Sequence, residues 1–392
     1  MTIGMATRGG MRSVLLLAVV GVWSLGVAVE AADAKPPGLD PHARKELRDA
    51  GVDRYVGQFQ PATVEDAGNG WEKYTFDTEG GDGPICIAGT PLTVFHQQRD
   101  PKKLLIVLDG GGACVQDAYQ CSVLADEDAP GDDGIFSDAL AGVANPVGDW
   151  SKLFVSYCDG SVFIGDNELA DPNFPFGPVR YHRGVRNLTA ALDLARDLHP
   201  NAKKVLLSGI SAGGYGVAGL APAVYRMIFP PSADLFVLND SGPSLSNPFL
   251  GSVIQDNDWH FSQFYPESCT ACSVLPGSDQ GALIKWTLEN DNGYRGALYS
   301  TDGDAVIRSF TFVPTQAAYR SLLLSVHDPI HDAYPERYKR FIRSGSTAHT
   351  ALGFSGYYLF TADGLPLVDW VDDFVNGGPD WIDVVEDFVP AP

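Results

Sequence analysis

The stretch Val205-Leu-Leu-Ser-Gly-Ile-Ser211-Ala-Gly-Gly-Tyr-Gly216 decides how the rest of this 392-residue sequence is read. Its first three residues are apolar, as in a strand buried on both faces. Gly209-Ile210-Ser211-Ala212-Gly213 follows, and then a run of small residues suited to a closely packed helix. A strand that turns directly into a helix at Gly-x-Ser-x-Gly is the nucleophile-elbow signature. The turn is so tight that the serine takes a strained backbone conformation. Glycines two positions to either side are required because a Cβ there would strike the neighbouring strand or helix. The helix N-terminus beneath the serine favours negative charge developing beside it. Ser211 is therefore the candidate nucleophile. With 43 glycines in the chain, the motif alone arises by chance; the strand before it and the helix after it give it meaning.

A second apolar strand ends in Leu108-Asp-Gly-Gly-Gly-Ala-Cys114. Attack on an ester carbonyl places negative charge on its oxygen, where backbone N–H groups must converge, and glycines let the main chain approach closely. Gly111 and Gly112 suit that role, and Ala212, after the serine, supplies the other donor. A phosphate-binding loop is disfavoured because no Lys-Ser/Thr follows the glycines. The base is expected downstream, in a loop near the C-terminus. Of His260, His327, His331 and His349, the last fits, lying in Gly345-Ser-Thr-Ala-His-Thr350 before the strand-like Gly356 to Phe360. The acid is expected between serine and histidine, at the end of a strand. Tyr299-Ser-Thr-Asp-Gly-Asp304 offers Asp304, with Asp302 in reserve. Asp240, in Asn239-Asp-Ser-Gly242, is read as part of the substrate pocket floor. His327 and His331 have metal-ligand spacing, but Pro329 between them argues against the helix that would align them.

Further strands are expected at Trp71 to Asp77 and Thr90 to Gln98, which alternate as half-buried antiparallel strands do. Leu104 to Leu108, Leu153 to Ser156, Leu235 to Leu238 and the shorter Ala297 to Ser300 read as buried parallel strands. Helices are expected at His42 to Ala50, Val179 to Leu198, Gly214 to Ile228, Gln280 to Leu288 and Pro314 to Leu324. The alternation predicts an α/β fold, a mostly parallel central sheet with helices on both faces. One catalytic domain is expected over residues 35–392, with a loop-rich insertion around 243–277.

Composition narrows the function. The chain is 45% hydrophobic and 19% charged, enough to bury a sizeable core, and its formal net charge is −22. Such acidity argues against nucleic acid or an anionic membrane as partner. Arg8 and Arg12 precede an apolar stretch, Leu15 to Val29, and small residues follow. This reads as a signal peptide over residues 1–34 cleaved near Ala31 to Ala34, hence a secreted protein, extracellular or periplasmic, with no membrane partner after cleavage. Six cysteines suit that route as three disulfides. Cys114 and Cys121 flank a short loop, Cys269 and Cys272 form a Cys-x-x-Cys loop bracketed by prolines, and Cys86 and Cys158 are left to pair. The oligomeric state is left open.

Taken together, Leu108-Asp-Gly-Gly-Gly-Ala-Cys114, Tyr157-Cys-Asp-Gly-Ser161, Ser208-Gly-Ile-Ser-Ala-Gly-Gly-Tyr-Gly216, Asn239-Asp-Ser-Gly242 and Ala348-His-Thr350 resemble the pectin acetylesterase family, which includes Notum-like carboxylesterases. The resemblance implies the α/β-hydrolase fold and a secreted serine esterase needing no cofactor and no metal. Ser211, Asp304 and His349 would form its triad, and Gly111, Gly112 and Ala212 its oxyanion donors. Phe163 and Tyr215, with Asp240, are expected in the substrate pocket. The chain departs from the family where it has Gly112-Ala113 and Phe163 in places that often hold a Trp, so the substrate is not inherited. A small acyl ester, an acetylated polysaccharide or an aliphatic polyester is expected. The alternatives are an inactive hydrolase-fold binding protein and a metal-dependent hydrolase using His327 and His331.

Overall fold

Alternate burial along the strands organises the molecule. In Asp100–Leu108 the side chains of Leu104, Ile106 and Leu108 enter one apolar cluster, and those of Leu105 and Val107 enter another. Val205 and Leu207 join the first cluster and Leu206 the second. Successive strand side chains point to opposite faces, so two cores on one strand mean a sheet covered on both sides. This computed structural model describes residues 38–77, 81–231, 233–245, 256–272 and 281–391.

The sheet has ten strands: β1 (Thr63–Gly68), β2 (Trp71–Thr75), β3 (Thr93–Gln97), β4 (Asp100–Leu108), β5 (Trp150–Val155), β6 (Lys204–Ile210), β7 (Asp234–Asp240), β8 (Tyr294–Thr301), β9 (Tyr338–Arg343) and β10 (Val384–Val385). Their spatial order is β1-β2-β3-β5-β4-β6-β7-β8-β9-β10. β1, β2 and β3 pair antiparallel, β3 runs antiparallel to β5, and every pairing from β5 to β10 is parallel. Among the described residues the helices include α1 (Pro41–Asp49), α2 (Gly184–Leu198), α3 (Ala212–Ala218), α4 (Ala221–Ile228), α5 (Ala282–Asn290), α6 (Ala305–Thr311), α7 (Gln316–Ala333), α8 (Gly356–Leu359) and α9 (Leu367–Asn376). Residues of α1, α2, α4, α5 and α7 fill the first cluster, and those of α9 the second. This is an α/β-hydrolase-like architecture, as the strand pattern predicted. The carboxyl ends of β4, β6, β7, β8 and β9 lie side by side, where sites of open α/β sheets form.

Several local expectations are corrected. Val179–His182 is a strand, paired with Asn167–Ala170, because Arg180 and His182 turn inward to a buried ionic network, and α2 begins only at Gly184. The helix expected over Gly214 to Ile228 is two, α3 ending at the Gly219 cap and α4 opening with Pro222 in its first turn. The strand-like Gly356 to Phe360 is the single turn α8. α7 runs straight through Pro329. It survives because Tyr319, Leu323, His327 and Ile330 repeat at helical spacing and are all buried against the core. The expected leader lies outside the described residues, as do residues 246–255 and 273–280 of the expected insertion. Among the described residues no helix is long and apolar enough to cross a membrane.

Three disulfides form: Cys86–Cys158, Cys114–Cys121 and Cys269–Cys272. The first closes a span of 72 residues. Closing so long a loop restricts the unfolded chain by about 4 kcal/mol. Replacing both Cys86 and Cys158 by Ser is expected to lower the unfolding free energy by about that amount in urea denaturation. A change under about 1 kcal/mol would contradict that account.

Candidate active site

Ser211 sits between β6 and α3 with φ 53° and ψ −109°. That is a costly region for a residue with a Cβ, and the surrounding structure holds it there. Its N–H donates to Asp240 O at 2.8 Å, and Tyr215 N–H donates to Ser211 O at 3.1 Å. A Cβ on Gly209 would collide with the Gly213 carbonyl, and one on Gly213 with the Leu108 carbonyl. The two glycines thus let strand, turn and helix pack at backbone distance.

Three side chains converge at this turn. The Ser211 hydroxyl lies 2.7 Å from His349 Nε2, and His349 Nδ1 lies 2.7 Å from Asp304 Oδ2. Asp304 is fully buried, while the imidazole is 18% exposed. Asp304 also caps α6, its Oδ1 accepting from Val306 N–H and Ile307 N–H, each at 2.9 Å. One carboxylate oxygen is therefore anchored to the helix and the other is aimed at the histidine. Asp302, two residues away, points elsewhere. Its oxygens take Gln316 Nε2 at 2.7 Å, Arg320 Nη1 at 2.8 Å and the Ser344 hydroxyl at 2.7 Å.

His349 sits on a loop held at several points by strand ends. Asp240 Oδ2 accepts from Ala351 N–H at 2.9 Å and Leu352 N–H at 2.8 Å. Ser241 donates its hydroxyl to His349 O, and the Thr301 hydroxyl donates to Ala348 O at 2.6 Å. Burial pushes the Asp240 carboxyl up to about 6, against the pull of its two N–H donors, the His349 charge and the Ser241 hydroxyl. Asp240, expected at the pocket floor, is fully buried, and its hydrogen bonds brace the histidine loop. Only the Asn239-Asp-Ser-Gly242 turn hinted at this. Phe163 is fully buried too, its ring 5.3 Å from that of Tyr157. Tyr215 is half-buried and donates its hydroxyl to Leu245 O at 2.7 Å.

The glycine loop lies against the serine: a Cβ on Gly110 would stand 3.1 Å from Ser211 Cβ. Gly112 opens a hairpin, Gly112–Val115 with Ala118–Cys121, across which Cys114 and Cys121 are bridged. Ser122 N–H donates to Gly111 O at 2.7 Å. In an antiparallel ladder this bond makes Gly112 and Cys121 a pair that exchanges no hydrogen bonds, so the ladder leaves the Gly112 N–H untaken. Tyr157 Oη donates to Gly112 O at 2.8 Å, which fixes the next peptide. Gly112 has φ +79°, and a side chain there would collide with the Gln120 carbonyl. Ala212 opens α3, where an N–H has no partner within the helix. Behind the hairpin lies a network that the sequence did not announce. Arg180, buried, binds Asp171 Oδ2 at 2.8 Å and Asp258 Oδ2 at 2.7 Å, and Asp258 Oδ2 accepts from Gln116 N–H at 2.6 Å.

His327 and His331 are separate from this cluster. The ring nitrogens of His327 face Pro243 O at 2.9 Å and the Tyr338 hydroxyl at 2.8 Å, so both are engaged by protein groups.

Asp109, which opens the glycine loop, is raised to about 7, by burial first and then by the Asp126 charge. Such a carboxyl binds more protons folded than unfolded. Its contribution to stability is complete below its unfolded value near 4 and is lost as pH climbs through 7. Wild type is therefore expected to lose roughly 1–2 kcal/mol more than Asp109→Asn between pH 4 and pH 8, after discounting for its partial exposure. Parallel urea titrations at the two pH values check this, and equal slopes would refute it.

The family match covers the half of the chain that carries the elbow and the glycine loop. The family described as Pectinacetylesterase matches residues 73–271, which is 199 of 392 residues. Pectin acetylesterase 11 of Arabidopsis thaliana is 28% identical over 188 residues, covering 44% of this chain and 46% of the relative. Pectin acetylesterase 7 of the same plant is 30% identical over 189 residues, with the same coverage. Pectin acetylesterase 5 is 30% identical over 193 residues, covering 45% and 44%. The chain thus spans a little under half the length of the curated relatives it matches. Because the family match extends over half of the sequence, the chain belongs to the pectin acetylesterase family.

Proposed function

We propose that this protein is an exported carboxylic ester hydrolase that works through an acyl-enzyme on Ser211. The observation that carries the reading is the unbroken hydrogen-bond chain from hydroxyl to imidazole to buried carboxylate, each link 2.7 Å. His349 Nε2 takes the Ser211 proton as Oγ attacks an ester carbonyl. Asp304 holds Nδ1–H, which keeps Nε2 free to accept, and stabilises the imidazolium that forms. The oxyanion is received by the N–H groups of Ala212 and the Gly111-Gly112 loop. His349 returns the proton to the departing alcohol, water repeats the attack on the acyl-serine, and the acid is released.

Family membership favours an acetyl group on a polysaccharide as the ester, with short acyl esters and aliphatic polyester as further candidates. Export is supported by the cationic and apolar start of the chain and by three disulfides, which persist in oxidising compartments. The deciding test is hydrolysis of p-nitrophenyl acetate by wild type and Ser211→Ala. Equal rates in the two would end the esterase reading.

A further inference from the structure

We propose that Tyr157 is a positioning residue of this site: its hydroxyl, aimed by a strained turn at Val162 and Phe163, holds the oxyanion loop in its working geometry. The inference rests on the esterase reading and adds a residue to its machinery. Three consecutive glycines, Gly110 to Gly112, have no Cβ to restrict them, so donors carried on them wander unless something outside the loop restrains them. Tyr157, two residues past β5, supplies that restraint twice. A Cβ on Gly111 would stand 2.5 Å from Tyr157 Cδ1, so the ring presses on that residue. The hydroxyl donates to the carbonyl of the next one, Gly112 O, at 2.8 Å. Gly111 O is already held by Ser122 N–H at 2.7 Å. With the carbonyl on either side fixed, the Gly112 N–H between them points one way.

The hydroxyl has no choice of direction. Its oxygen also faces Val162 N–H, at 3.2 Å. A backbone N–H only donates and a carbonyl only accepts, so the phenol proton lies toward Gly112 O. Burial first, and then the Asp159 charge, push the fully buried phenol well above its usual value near 10, which keeps that proton in place. Val162 presents its N–H from a strained turn. Val162 has φ 50° and Phe163 φ 64°, left-handed values that are uncommon for any residue with a Cβ and more so for a β-branched one. Asp159 pins the turn, its Oδ1 accepting from Ser161 N–H at 2.7 Å, the Ser161 hydroxyl at 2.5 Å and Phe163 N–H at 3.3 Å. The start of α2 closes on it, since a Cβ on Gly184 would stand 2.7 Å from the Phe163 carbonyl carbon. Backbone strain persists only where the surroundings over-determine it, and it clusters at functional sites. Here the chain from Val162 N–H through the Tyr157 hydroxyl to Gly112 O ends on the oxyanion loop.

The test is Tyr157→Phe, which keeps the ring against Gly111 and Phe163 and removes only the hydroxyl. Active sites are counted by end-point titration with a p-nitrophenyl phosphonate. On p-nitrophenyl acetate, kcat per site is expected to fall about ten-fold with KM little changed, less than the roughly hundred-fold that outright loss of an oxyanion donor costs. Affinity for a trifluoromethyl ketone, which forms a tetrahedral oxyanion on a serine, is expected to fall in step with kcat/KM. A role confined to stability would lower the urea midpoint and move neither quantity, because each folded molecule would still work at full rate. Tyr157→4-aminophenylalanine puts a weaker donor at the same point, and its kcat is expected to lie between those of wild type and Tyr157→Phe. If Tyr157→Phe does not fold, the amino variant decides alone. A kcat per site equal to wild type in either folded variant would overturn the inference and leave the esterase reading standing. No turnover by folded wild type would remove the esterase reading, and this inference with it.

Discussion

Ser211→Ala is expected to lower kcat by about 10⁶-fold on any ester the protein hydrolyses, with KM little changed. The substitution removes the hydroxyl oxygen that lies 2.7 Å from His349 Nε2, and with it the proton that the imidazole would take. The elbow itself should stand. Its geometry is held by Ser211 N–H on Asp240 O and by the glycines on either side, neither of which involves the hydroxyl. Unfolding free energy is therefore expected to move by less than about 1 kcal/mol. Purified variant and wild type, assayed on p-nitrophenyl acetate and unfolded in urea, supply both readings. Retained activity in a folded Ser211→Ala would locate the chemistry elsewhere.

Asp304→Asn is expected to cost about 10⁴-fold in kcat/KM near neutral pH. The amide oxygen of the new side chain can keep accepting from Val306 and Ile307 N–H, so the helix cap persists. That leaves the amide NH₂ facing His349 Nδ1. A donor there makes Nδ1 the acceptor and moves the ring proton to Nε2, where it confronts Ser211 and can no longer receive its proton. Asp302→Asn should behave in the opposite way. It breaks a buried pair with Arg320 and is expected to lower stability by about 3 kcal/mol with kcat/KM changed less than ten-fold. Measuring both quantities in both variants separates the roles. A collapse of kcat/KM in Asp302→Asn alone would reverse the assignment made here.

Some of this was legible without coordinates. The elbow and the glycine loop announce themselves because their physics is local. A Cβ at Gly209 or Gly213 collides with backbone at most a few residues away or in the adjacent strand, so residue type alone carries the message. The inner stretches of β4, β6 and β7, Leu104 to Leu108, Val205 to Leu207 and Leu235 to Leu238, are likewise continuously apolar because parallel strands are covered on both faces. Where competing signals were equally local, the reading failed. Pro329 spoke against a helix that four buried side chains nevertheless hold, and Val179 to His182 was absorbed into the helix after it.

What sequence alone determined is which backbone turns can exist: the strained serine, the close-approaching glycines and the strands that must lie inside. What only the tertiary structure decided is which side chains meet. Ser211 and His349 are 138 positions apart, and Asp304 differs from Asp302 only in the direction its carboxylate takes at the end of β8. Asp240 and Phe163 read as pocket residues in one dimension and are fully buried in three. The reason is that a strand's neighbours are set by the order of the sheet. The order β4-β6-β7-β8-β9 brings five distant carboxyl ends together, and no local preference encodes that juxtaposition.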